Sequence, residues 1–182
     1  MVAILTAVAL AIASMTLAAI LWSVAQPDRR IWPPHRFSAA VAWIGWGGTF
    51  AFFATVFALG VIGWGDAPVP GWLRYGVGAV LILAGNAGVW SEVMGFGVNQ
   101  TMGAEGQLKT DGLYRFSRNP QYVSDIAILI GWALLSASFV AQPSVITGVL
   151  VLIAFPLAEE SWLSERYGKA YLDYKAKVRR FL

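Results

Sequence analysis

The sequence predicts an all-α, polytopic membrane protein of about five transmembrane helices followed by a C-terminal amphipathic helix. Three observations predict it. Of 182 residues, 58% are apolar and only 13% charged, against about 25% charged in a soluble chain; mean hydropathy is +0.62. The apolar residues fall in blocks approaching or exceeding the roughly 20 residues that cross a bilayer as a helix. Basic residues gather in alternate links between those blocks.

The first block, Val2–Ala25, ends at Gln26-Pro27-Asp28-Arg29-Arg30. It lacks a basic leading region, and its positive charge follows it, so it reads as a first span with its N-terminus outside rather than as a cleaved leader. Phe37–Gly63 is the second span, and the turn-rich link 64–71 follows it. Trp72–Val98 is the third, interrupted by Arg74 and Glu92. Tyr122–Phe139 is the fourth. Ser144–Ala158 is the fifth, short and bracketed by Pro143 and Pro156; with the fourth it makes either two crossings or a shallow hairpin.

Charge orients the set. The first link carries Arg29, Arg30 and Arg36, the third Lys109, Arg115 and Arg118, and the tail six lysines and arginines; near the second link lies Arg74, and the fourth has no basic residue. Positive-inside placement then puts the C-terminus, the first link and the third link in the cytoplasm of a bacterial or archaeal inner membrane. From Glu159 onward, Leu163, Tyr167, Tyr171, Tyr174, Val178 and Phe181 recur at helical spacing among charges, which predicts an amphipathic helix with cations toward anionic headgroups and tyrosines at the interface. We read residues 1–182 as a single membrane domain, with three N-terminal spans in 1–98 and the chemistry in 99–182.

Composition also excludes functions. With no cysteine and a single histidine, His35, there is no disulfide framework, Cys/His zinc site, iron–sulfur cluster or cysteine nucleophile. No metal is expected. The net charge of +3 is small and placed for topology, so no nucleic-acid partner is expected either.

Polar groups that could do chemistry are few. The densest run is Asp111 to Asp125, in which Pro120 suits the first turn of the fourth span and Asn119 its cap. Tyr114, Arg118, Asn119 and Tyr122 gather where a link enters the membrane, and Glu159-Glu160 falls at the same depth. Arg118 and Arg115 are otherwise simple topology anchors, and the two glutamates otherwise partners of tail cations. Glu92 and Asp125 lie inside spans, where an ionisable group usually faces a partner or a cavity. Glu92 either enters the pocket or pairs with a tail arginine. The tryptophans read as interface anchors and packing, and Gly45, Gly47, Gly48, Gly85 and Gly88 as close-approach points between helices.

Leu108-Lys109-Thr110-Asp111-Gly112-Leu113-Tyr114, Arg118-Asn119-Pro120-Gln121-Tyr122, Glu159-Glu160 and Tyr167-Gly168 with Tyr171, Tyr174 and Val178 stand in one order. Together they resemble the C-terminal half of the isoprenylcysteine carboxyl methyltransferase and phospholipid methyltransferase superfamily. The resemblance covers roughly residues 99–182; the first three spans supply membrane context. It implies a methyltransferase that uses S-adenosylmethionine without a Rossmann domain, acting on a lipid-like or isoprenoid acceptor within the bilayer. It implies cofactor contacts from Asn99, Gln107, Leu108, Lys109, Tyr114, Asn119, Pro120, Tyr122 and Glu159. Glu160, Arg118 and Asp125 are the candidates for catalysis, with Glu92 as a further possible base. Asn119 stands where the eukaryotic carboxyl methyltransferases have histidine. Phe155 stands where the family has an arginine for the substrate carboxylate, so a different acceptor is expected. Two other readings compete: an NADPH-dependent sterol or isoprenoid ene-reductase, similar over Arg118-x-x-x-Tyr122-x-x-Asp125 and the tyrosine-rich tail, and a non-catalytic lipid-binding membrane protein.

Overall fold

A computed structural model describes residues 1–35, 38–96 and 106–182. The described residues form six α-helices: α1 (Val2–Ala25), α2 (Ala39–Ile62), α3 (Ala79–Phe96), α4 (Pro120–Ser136), α5 (Gln142–Tyr167) and α6 (Lys169–Lys175). A π-helical stretch, Trp72–Gly78, runs directly into α3. Among the described residues, four helices are long and apolar enough to cross a membrane: Val2–Ala25, Ala39–Ile62, Trp72–Gly95 and Gln142–Tyr167. At 1.5 Å per residue, the 17 residues of α4 reach about 25 Å, somewhat less than a hydrocarbon core.

The fifth apolar block is longer than the sequence reading. Pro143 falls in the first turn of α5, where its missing N–H costs nothing. Pro156 lies inside the helix, fully buried. A proline there forfeits one backbone hydrogen bond, yet α5 continues 11 residues beyond it, through Glu159 and Glu160, to Tyr167. The amphipathic tail is therefore not one helix beginning at Glu159. Its first part extends α5, and Gly168, at φ 52° and ψ −130°, breaks the chain before α6.

Packing follows the small residues. Gly78 and Gly131 face each other across α3 and α4, and a Cβ on Gly85 would stand 2.6 Å from the Ser124 carbonyl. Gly88 likewise abuts the Ser124 hydroxyl. By contrast, Gly45, Gly47 and Gly48 meet nothing within 4 Å, so the first half of α2 brings no helix close through its glycines. The core joins α1 (Ala9, Ala13, Ile20), α2 (Phe52, Val56), α4 (Leu129) and α5 (Val145, Val151, Leu152).

The α4–α5 turn lies at one end of the bundle. Ala137 adopts a left-handed conformation (φ 47°), and the link after α2 closes over it: Gly65 and Ala67 N–H donate to the carbonyls of Ser136 and Ala137. Arg74 donates to the Leu135 and Ser136 carbonyls at the C-terminal end of α4. The first link, residues 106–119 and the tail meet at the opposite end.

Candidate functional site

Residue 32 is placed before any of the predicted site residues come into play. Ser23, near the end of α1, accepts the backbone N–H groups of both Ile31 and Trp32 at 2.9 Å. That folds the first link back over the bundle, and the Trp32 indole N–H donates to Glu159 Oε1 at 2.7 Å. The Tyr122 hydroxyl donates to the same oxygen at 2.5 Å. Phe155, one turn before Glu159 on α5, stacks on Tyr122 with centroids 5.3 Å apart and planes 7° from parallel; Trp32 meets it edge-on at 5.8 Å. Glu159 is thus a carboxylate set among three aromatic rings. Its second oxygen takes no hydrogen bond among the described residues.

Glu160, about 100° further round the helix, has the opposite surroundings. It is 4% exposed and meets Arg118 at 2.7 Å, Arg180 at 2.9 and 3.0 Å, and Lys175 at 3.1 Å. The hydrogen bonds to Glu160 hold the Arg180 guanidinium above its ordinary pKa. Arg118 also donates to the carbonyls of Lys175 and Val178. Arg118 and Glu160 therefore tie the tail to the entrance of α4, and the tail cations Lys175 and Arg180 face a carboxylate rather than headgroups alone. Tyr171 and Tyr174 are buried instead of lying at an interface. The Tyr174 hydroxyl donates to the Tyr114 carbonyl at 2.7 Å, and burial pushes both phenols up to about 12.

Asn119 occupies the cap position of α4 and Pro120 its first turn, as the sequence predicts. The Asn119 side chain makes no capping bond, however. Its amide donates to the Arg180 carbonyl at 2.9 Å, while its backbone N–H goes to the Ser117 hydroxyl. Glu92 pairs with Lys109 of the third link at 3.3 Å, not with a tail arginine. That ion pair ties Gln107, Leu108 and Lys109 to α3, and the Lys109 ammonium lies 5.8 Å from the Tyr114 ring centre. Burial first, then the charges of Glu92 and Glu159, raise the Tyr114 phenol well above its ordinary value.

Asp125 lies one turn deeper than Tyr122, partly buried, with no hydrogen bond or ion pair among the described residues. Asn99 lies outside the described residues. No group of three His, Asp or Glu side chains that could hold a metal occurs among the described residues.

Sequence reasoning missed Trp32, Ser117, Tyr174 and Arg180. Trp32 carried a local signal in its position beside Pro33-Pro34, but nothing tied the first link to α5. Arg180 looked like any tail cation.

The arrangement offers an anionic oxygen and aromatic faces beside a polar, hydrogen-bonding corner, at the end of a membrane bundle. Comparison with known proteins places the chain in a family. Residues 73–170 match the phospholipid methyltransferase family. A steroid 5-alpha-reductase, DET2, of Solanum lycopersicum is 23% identical over 112 residues, which is 61% of this chain and 43% of the reductase; the chain thus covers less than half of that relative. An uncharacterized protein of Haemophilus influenzae is 40% identical over 62 residues, 34% of this chain and 98% of that protein. No solved structure matches the chain. The family match spans more than half of the sequence and takes in the Arg118–Tyr122 corner, Glu159 and Glu160, so this multi-pass membrane protein belongs to the phospholipid methyltransferase family.

Proposed function

We propose that the protein is a methyltransferase that uses S-adenosylmethionine and methylates a lipid-like or isoprenoid acceptor at the cytoplasmic leaflet. The observation that carries this reading is the convergence of the α4 entrance and the acidic pair of α5, through Tyr122 on Glu159 and Arg118 on Glu160. When bound, the donor supplies an electrophilic methyl group on a sulfonium, for in-line displacement.

The residues present fit such a donor. A carboxylate oxygen without a partner among the described residues, flanked by Tyr122, Phe155 and Trp32, suits a cationic ligand by charge and by cation–π attraction. Gln107, Leu108, Lys109, Asn119, Pro120 and Tyr114 would line the polar side of the donor; Asn99 belongs to the same proposed set. Asn119 can hydrogen-bond an amino-acid or adenine edge. Orientation and exclusion of water would supply most of the rate. Among the proposed catalytic residues, Glu160 and Arg118 act by holding the corner, because a carboxylate bound by three cations is a poor proton acceptor. Asp125 is the better base for an acceptor that loses a proton. Phe155 adds an aromatic wall and leaves that position without a cation for an acceptor carboxylate.

The similarity to a plant steroid 5-alpha-reductase over 112 residues favours one second reading, reduction of an isoprenoid with NADPH. Titrating purified protein in detergent with S-adenosylhomocysteine and with NADPH, by calorimetry, separates the two. Binding of S-adenosylhomocysteine alone is expected. NADPH binding alone overturns the methyltransferase reading, and silence toward both leaves a non-catalytic lipid binder. Glu159→Gln should weaken S-adenosylhomocysteine about tenfold or more; unchanged affinity removes Glu159 from the site.

A further inference from the structure

The chain beyond α6 is bound to the corner before α4 more closely than a membrane anchor requires. Past Lys175 the backbone leaves the helix, so its last carbonyls no longer have helical partners of their own. They are met instead by three consecutive residues. The Arg118 guanidinium donates to the Lys175 and Val178 carbonyls, at 3.2 and 2.5 Å. The Arg118 backbone N–H donates to the Arg179 carbonyl at 2.9 Å. The Arg180 carbonyl accepts from Asn119 Nδ2 at 2.9 Å and from the Ser117 hydroxyl at 3.3 Å. Arg180 is in turn fixed by its own guanidinium, which grips both oxygens of Glu160.

We propose that residues 175–182 form a strap that sets the Ser117–Asn119 corner for donor binding, with Arg180 as its positioning residue. This rests on the donor-pocket reading above. The two-pronged contact with Glu160 holds the Arg180 backbone in place, and a guanidinium does this where an ammonium cannot, because its planar fork matches both carboxylate oxygens. With its NH2 end held by the Arg180 carbonyl, the Asn119 amide turns its oxygen in one direction. A polar ligand in the corner then meets a pre-oriented acceptor instead of a rotating side chain. Among the described residues, the Arg180 hydrogen bonds and ion pairs go to Glu160, Asn119 and Ser117 and not to Glu159 or its aromatic neighbours, so it acts on the pocket through Asn119 and Glu160.

The test uses full-length protein in detergent as wild type, Arg180→Ala and Arg180→Lys. Hydrogen exchange over a peptide spanning 113–122 reads the Arg118 amide, and calorimetry reads S-adenosylhomocysteine affinity. In Arg180→Ala the Arg118 amide should exchange about tenfold faster or more, and affinity should fall about tenfold or more, while the melting temperature of the bundle stays within a few degrees. Arg180→Lys, which keeps the charge and loses the fork, should lie between the two. Wild-type affinity or wild-type exchange in Arg180→Ala overturns the strap. If Arg180→Ala does not fold, Arg180→Lys decides: a loss of about threefold or more supports the proposal, and wild-type affinity overturns it. A wild-type protein that does not bind S-adenosylhomocysteine overturns the donor reading itself, a distinct result from binding that survives the Arg180 changes.

Discussion

Glu159 and Glu160 share a peptide bond and almost nothing else. One accepts hydrogen bonds from a tyrosine and a tryptophan within an aromatic box, and the other is ion-paired to three cations. In a helix, consecutive side chains diverge by about 100°, so an adjacent acidic pair can serve two neighbouring clusters without competing for either. Under the proposed function, this division would give ligand contact to Glu159 and support to Glu160, and would leave proton removal to Asp125. Asp125→Asn should therefore lower methyl transfer to a membrane lipid extract by about a hundredfold or more, the lower range for loss of a general base, with S-adenosylhomocysteine affinity within about threefold of wild type. Labelled methyl donor and product counting provide the readout. Unchanged transfer in this variant takes the base role away from Asp125. The acidic pair and Arg118-Asn119-Pro120-Gln121-Tyr122 were legible as residues. Which of the two carboxylates meets Tyr122 was not, because the rotation of α5 about its axis is set by packing.

At the scale of elements, the α3–α4 seam fixes how the third link approaches α5. Gly85 lets the Ser124 carbonyl come within contact of α3, and that seam carries Glu92 and Lys109 beside Tyr114. Gly85→Leu should destabilise the protein by about 1–3 kcal/mol or more through overpacking. Gly47→Leu, on an open stretch of α2, should stay within about 0.5 kcal/mol. Unfolding of both variants in detergent distinguishes the two positions; equal effects would mean that the seam is not tight. The sequence reading treated these glycines alike, because composition marks a small residue and not its neighbour. The two ends of α5 were misread for a related reason. Proline at 156 is a strong local stop signal, but burial of Leu152, Ala154, Pro156 and Ala158 through this stretch of the helix outweighs one lost backbone bond.

For the whole molecule, the chain has two unlike ends. One gathers the first link, the third link and the tail around Glu159 and Glu160; the other packs residues 64–71 over the α4–α5 turn. The positive-inside argument predicts that the first end faces the cytoplasm. Because the chain contains no cysteine, single replacements report the side without background. Pro68→Cys should react with an impermeant maleimide in right-side-out vesicles, whereas Lys177→Cys should react only once the vesicles are opened. The reverse pattern would put the site on the outer face.

Length, hydropathy and charge alternation by themselves determined an all-helical membrane protein, because crossing a bilayer demands continuous apolar runs with self-satisfied backbones. Tertiary structure alone decided that Trp32 from the first link completes the Glu159 box and that the tail returns to grip Ser117–Asn119. Those contacts join residues 127 and 61 positions apart, and no periodicity in a chain encodes a meeting that depends on how whole helices rotate and pack.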